Sequence, residues 1–254
     1  MLILDGGTGL RTLGDQLLRG GPVDTSILFS HVHWDHIQGI PFFAPIFRSD
    51  TRLAMWGAPE HMTLEAVMRR QMGGPTFPVP LDHVPAQLSF HPISAGATVA
   101  IGPFEVTAAS LRHPNGVYGY RIEHGGRSIV YATDTEHQPG TLDAGLIELA
   151  RGADLLIYDA QYTPAEYAGA VGPSRAGWGH STWIEGVKVA AAAGAGQLVL
   201  FHHDPTHDDQ AIAAIEASAA AQLPGTIAAR EGLIIELEAR TAGRRRHQRA
   251  RSAG

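Results

Sequence analysis

The densest chemistry in the sequence is the hexapeptide His31-Val32-His33-Trp34-Asp35-His36. Along an extended chain, residues two apart point the same way, so His31 and His33 can converge on one ion where a strand ends. Asp35 and His36 follow as the chain turns, and they can face a second position. Burying several imidazoles beside a carboxylate with no cation would leave many polar atoms unpaired, so the cluster suits a metal centre. The chain contains no cysteine, which excludes disulfides and thiolate ligands and leaves His and carboxylates as the strong donors. Such donors take Zn²⁺, Mn²⁺ or Fe²⁺. A pair of these ions about 3.5–4 Å apart holds a bridging hydroxide, because binding lowers the pKa of water from about 15.7 toward 7. The same ions neutralise charge on a reacting oxyanion substrate.

The elements that must position this cluster are legible as apolar runs. Residues 2–4 and 25–30 read as short strands, the second leading straight into the hexapeptide, and 10–18 has helical spacing. Residues 60–72 read as a helix, with Glu60 early and Arg69 and Arg70 late, as the helix dipole favours. The Gly- and Pro-rich stretch 73–80 is loop. From 87 to 133 the runs 88–93, 98–101, 104–111, 117–124 and 128–133 read as a meandering sheet. The second half alternates. Helices over 142–150, 182–193 and 208–221 lead to strands at 154–160, 197–203 and, at the close, 226–229 and 233–237. A sheet-rich part followed by a helix-alternating part predicts an α/β (α+β) fold with helices outside two packed sheets. One domain over 1–239 is expected, followed by a basic, disordered tail over 240–254 that carries six Arg and no acid.

The hexapeptide resembles the HxHxDH signature of the metallo-β-lactamase superfamily. The resemblance extends over nearly the whole chain, with His113 in LRHPNG, Asp134 in YATDTE and His202 in LVLFHHDP following in order. It implies a four-layer αββα sandwich with two divalent metal ions at one edge of the sheets. His31, His33 and His113 would bind the first ion. Asp35, His36 and His202 would bind the second, with Asp134 bridging; His202 is preferred over His203 because it directly follows the strand. Asp5 and Asp159 match acidic residues that sit behind the ligands in the family and orient them. Relatives have two strands before the one at 2–4, so the first sheet is expected to be incomplete, with an edge open to homo-oligomer formation.

The motif Gly179-His180-Ser181-Thr182 is similar to that of the phosphodiesterase branch, which includes tRNase Z and cyclic phosphodiesterases. Carried over, His180 donates a proton to the leaving oxygen; as a plain helix entry it would stand beside a Ser181 or Thr182 cap. Asp35 is expected to be catalytic as well as ligating. tRNase Z inserts an RNA-gripping arm between the residues matching His113 and Asp134, and twenty residues filled by two strands leave no room for it. Formal net charge is −6, and outside the tail thirteen basic residues face 25 acids. An acidic body disfavours a nucleic-acid partner. A small or cyclic phosphodiester is the expected substrate, with a lactone or thioester, an RNA, or loss of turnover in a metal-binding module as rivals. No apolar run of about 18 residues is present, so no membrane partner is expected, and no leader is recognisable; a cytoplasmic location is expected. His137 is expected to line the cleft, and His61, His83, His91, His124, His207 and His247 are expected at the surface.

Overall fold

Residues 1–238 are described by the computed structural model; the 240–254 tail and His247 lie outside them. Strands β1 (Leu2–Leu4), β2 (Asp24–Leu28), β3 (Arg52–Trp56) and β4 (Gln87–His91) form one sheet in that order, all parallel. The second sheet has β5 (Thr98–Ile101), β6 (Phe104–Leu111), β7 (Val117–His124), β8 (Arg127–Ala132), β9 (Leu155–Asp159), β10 (Leu198–Phe201) and β11 (Ile227–Ala228). Its β5–β8 part is antiparallel and its β8–β11 part is parallel.

Helices α1 (Gly9–Leu18), α2 (Trp34–Ile37) and α3 (Leu64–Gln71) come from the first half of the chain. Helices α4 (Ala144–Ala150), α5 (Pro164–Tyr167), α6 (Trp183–Ala193) and α7 (Asp209–Gln222) come from the second. Three apolar clusters show how the layers stack. Leu10, Ile27, Phe43, Met55 and Met68 pack helices on the outer face of the first sheet. Leu146, Leu149, Val187, Ala190 and Leu200 do the same for the second. Leu28, Val106, Tyr120 and Tyr131 fill the space between the sheets. The architecture is the αββα sandwich.

Four details differ from the sequence reading. Helix α3 begins at Leu64, not at residue 60, because Thr63 caps it by accepting a hydrogen bond from Ala66 N at 3.2 Å. Strand β4 leaves the meander and pairs in parallel with β3. Strand β3 was not recognised: its alternating burial is carried by only Leu53 and Met55. Residues 233–237 form no strand, and Ile234 is 82% exposed, so the apolar run there is not buried in either sheet.

Candidate metal centre and active site

The site forms where strands of both sheets end. After β2 the chain stays extended to His33, which enters α2 with φ −60° and ψ 156°. The rings of His31 and His33 meet edge to face with centroids 4.5 Å apart. His113 follows β6, and its Nε2 lies 3.0 Å from His33 Nδ1. A ring nitrogen from each of these three histidines lies within 4.8 Å of the others. Asp35, His36, Asp134 and His202 form a second group to the same criterion. His36 Nε2 is 3.2 Å from Asp134 Oδ2 and 3.3 Å from Asp35 Oδ2. His202 Nε2 is 3.4 Å from Asp134 Oδ1 and 3.3 Å from Asp35 Oδ2. Asp134 Oδ2 also lies 3.6 Å from His31 Nε2 and 3.9 Å from His113 Nε2, so this carboxylate faces both groups.

Asp5, Asp134 and His202 hold positive φ values of 57°, 51° and 56°, and each lies just past a strand end. Left-handed backbone at a non-glycine residue costs on the order of 1–3 kcal/mol and persists where the surroundings over-determine it. Here the bend aims each side chain at the cluster instead of along the strand.

Behind the two groups lies a second layer of hydrogen bonds. Asp5 accepts from Ser30 N at 2.7 Å and from Ser30 Oγ, Tyr131 OH and His36 Nδ1 at 2.8 Å each. His36 therefore spends its Nδ1–H on Asp5 and keeps Nε2 for the centre. His113 Nδ1 donates to the Gly179 carbonyl at 2.7 Å with the same consequence. Asp159 accepts from Thr135 N, Gln161 N and His180 Nδ1, each at 3.0 Å. Glu136, absent from the sequence reading, accepts from Gly177 N at 2.6 Å, Tyr167 OH at 2.7 Å and Gly179 N at 2.9 Å. Its only sequence signal was a carboxylate two residues past Asp134.

The electrostatics of the cluster are those of a cation site. Burial and the neighbouring His36 push His31 down to about 2. Burial also lowers His36, but the carboxylates of Asp134, Asp35 and Asp5 around its ring override it and push it up to about 12. His202 goes up to about 8, against its burial, through Asp35 and Asp134. The His202 and His36 rings beside it hold the Asp35 carboxyl far below the carboxylate range. Asp134 is held low too, since His36 and His202 outweigh its burial. The buried His31 Nε2 and His36 Nε2 make no hydrogen bond of proper geometry. Imidazole nitrogens without partners beside ionised carboxylates fit divalent metal ions.

His180 lies in the same cluster. Its ring stacks on His202 at 5.0 Å between centroids and 11° between planes, and meets His113 edge to face at 5.0 Å. Its donor atoms fall within the same 4.8 Å limit of His113 and Asp134, and of Asp159 and His202. Ser181 does not cap α6; its Oγ lies 2.9 Å from Tyr158 OH and 3.0 Å from His137 Nδ1. Thr182 makes no side-chain cap bond either. Among the described residues His203 joins none of these His and carboxylate groups, and both its ring nitrogens are buried without a hydrogen bond.

His61, His83 and His124 are exposed as expected. His207 and His91 are not simple surface residues. The His207 side chain is 9% exposed and its Nε2 lies 2.9 Å from Glu166 Oε1. His91 stacks on Trp56 at 4.3 Å.

This arrangement of strand-end His and Asp residues on an αββα sandwich defines a class. Residues 3–203 match the beta-lactamase superfamily domain, and the chain belongs to the metallo-β-lactamase superfamily. The probable metallo-hydrolase YhfI of Bacillus subtilis is 34% identical over 110 residues, 42% of this chain and 40% of that protein, so the match spans under half of either. The crystal structure of YhfI superposes with a TM-score of 0.67 at 22% identity, covering 91% of this chain and 85% of that one. A diphosphatase of the PhnP family superposes at 0.64 and 23% identity, covering 94% and 80%. At these identities both structures speak for the fold. Ribonuclease Z of Synechococcus sp. strain WH7803 is 26% identical over 272 residues, 85% of this chain and 80% of that protein. No helix among the described residues is long and apolar enough to cross a membrane.

Proposed function

We propose that the protein is a dinuclear metal-dependent phosphodiesterase that hydrolyses a small or cyclic phosphodiester. The observation that carries this reading is the convergence of two ligand groups on Asp134, with His180 held against them by Asp159. His31, His33 and His113 would hold one ion, Asp35, His36 and His202 the other, and Asp134 both, with Zn²⁺ or Mn²⁺, and equally Fe²⁺, suiting these donors. Bound ions would supply Lewis acidity at the phosphoryl oxygen and acidify an attacking water.

The chain's own residues do the rest. His180 commits Nδ1–H to Asp159, so Nε2 is the ring atom left to protonate a leaving oxygen. Asp159 fixes that tautomer and the orientation of the ring. The Asp35 side chain is 55% exposed, so an edge of its carboxylate meets the cleft and can orient a hydroxyl there. Asp5 and the Gly179 carbonyl keep His36 and His113 in ligating orientation.

The ribonuclease Z relatives support phosphodiester chemistry. A small substrate is favoured over RNA by the acidic body and by the interval from His113 to Asp134, where β7 and β8 are joined by a turn at Gly125 and Gly126. The test is turnover by the metal-loaded protein of bis(p-nitrophenyl) phosphate and 2′,3′- and 3′,5′-cyclic nucleotides beside a lactone and a thioester. Phosphodiester turnover is expected. Turnover of the carbonyl substrates alone would overturn the reading.

A further inference from the structure

A cavity of about 290 Å³ opens against His31 and His33. Its walls are largely apolar, with Phe29, Leu64, Val67, Val117 and Tyr118 among them. Polar side chains line it as well, among them Ser110, Asn115, Glu60 and His61, the last with Nε2 4.0 Å from Glu60 Oε2. Asn115 holds φ 64° and places Nδ2 3.2 Å from His33 Nε2. Glu60, on the segment between β3 and α3, reaches across to Gly116. A Cβ built on Gly116, whose φ is +75°, would lie 2.6 Å from Glu60 Oε1, so the carboxylate rests against this glycine. None of His180, Asp159, His202 and Asp35 lines this cavity.

A cavity that shares two ligand histidines with the centre receives whatever is attached to the reacting group. Its apolar walls suit a ring with little charge, and burying such a group is favourable in proportion to the apolar area removed from water. Glu60 repels a second anion there and can accept a hydrogen bond from a donor on the ring's edge. The position also separates the two ester arms of a phosphodiester. The leaving oxygen must come within hydrogen-bond reach of His180, which is not part of the cavity wall. The arm seated in the cavity is therefore the other one, which stays on phosphorus.

We infer that this cavity binds the retained ester arm of the substrate, and that the arm is a neutral, ring-sized, largely apolar group, either an aryl group or a nucleoside. The inference rests on the phosphodiesterase reading, and its product is the phosphomonoester of the ring-bearing alcohol. In the step the P–O bond to the opposite arm breaks, water oxygen bonds to phosphorus, and the departing oxygen takes up a proton.

The test uses phosphodiesters that share a p-nitrophenolate leaving group and differ in the retained arm: methyl, phenyl, 4-carboxyphenyl and thymidine 5′-yl. Phenyl and thymidine arms are expected to lower KM by about tenfold or more relative to methyl, and the 4-carboxyphenyl arm to lose that gain. Ala58→Phe, which places a ring in the cavity, should raise the KM of the phenyl arm to that of methyl. Glu60→Gln, at an exposed position, should recover the carboxyphenyl substrate. A lower KM for thymidine than for phenyl assigns a nucleoside, and the reverse an aryl ester. Calorimetric binding of phenyl phosphate and methyl phosphate to the metal-loaded protein separates this inference from the reading beneath it. If no diester is hydrolysed but phenyl phosphate binds more tightly and Ala58→Phe removes the difference, the cavity assignment stands and the phosphodiesterase reading falls. Diesters hydrolysed with equal KM, with both phosphates bound equally, would overturn the cavity assignment.

Discussion

Gly179 both holds His113 and leaves room for it: its carbonyl accepts the His113 Nδ1–H at 2.7 Å, and a Cβ on Gly179 would lie 2.4 Å from that same nitrogen. Gly179 sits at φ +89°, where a side chain is strained regardless of space. Gly179→Ala should therefore tilt the His113 ring and disturb His180 one residue on. Loss of a partner behind a metal ligand typically costs about 10–100-fold in affinity or activity. Competition with a chromophoric chelator measures the affinity, with circular dichroism as a control for folding. Unchanged affinity in a folded variant would show that the Gly179 contact is incidental.

Glu136 holds the same segment from the other side. Burial would raise its pKa, but the Gly177 N–H, the Tyr167 hydroxyl and the Gly179 N–H outweigh burial and hold it below the usual glutamate range. A carboxyl lowered on folding contributes stability that is present above its unfolded pKa, about 4.3, and is lost as pH falls through the folded value. Wild type should melt above Glu136→Gln at pH 7, and the gap should close below about pH 4. Thermal melts of both proteins across that range check this. A gap that persists at pH 3 would place the effect in packing, not in charge.

His202 and His203 are adjacent, yet only His202 reaches Asp35 and Asp134. Each should be changed to Ala separately. His202→Ala is expected to lose metal from the Asp35–His36 group and most turnover, and His203→Ala to retain both metals. Elemental analysis and kcat on bis(p-nitrophenyl) phosphate give the readout, and the reverse pattern would refute the assignment of the last ligand.

A general acid matters in proportion to how poorly the leaving group departs. His180→Ala should slow substrates with an alkoxide or ribose leaving oxygen by about 10²–10⁴, and should spare much of the activity on bis(p-nitrophenyl) phosphate. Metal content should stay the same. Equal loss on both substrate types would indicate that His180 positions the substrate, and loss of metal would make it a ligand.

Much of this was readable because backbone period and ligand spacing are local properties. Each of the site strands β1, β2, β8, β9 and β10 is an apolar run ending near a His or Asp, and the hexapeptide carries four of the clustered residues within six positions. What was not readable depends on contacts made across the fold. Nothing near Glu136 in sequence announces that it meets residues 167, 177 and 179. Nothing near Ser30 and Tyr131 announces that they share Asp5. Residues 233–237 show the opposite error, since a β-like composition made no strand and pairs with neither sheet. The cavity beside His31 is likewise a product of elements distant in sequence, joining the end of β2 to the segments around Glu60 and Asn115.

The central claim is that Asp134 joins two metal positions in one centre. The most direct measurement is the metal content of protein purified without chelator, by elemental analysis, for wild type and for Asp134→Ala, with phosphodiester turnover recorded on the same samples. Two ions per chain in the wild type are expected, and Asp134→Ala should deplete both positions and lose turnover together, because one carboxylate serves both groups. A single ion per chain with full turnover, or an Asp134→Ala protein that keeps two ions, would contradict the account.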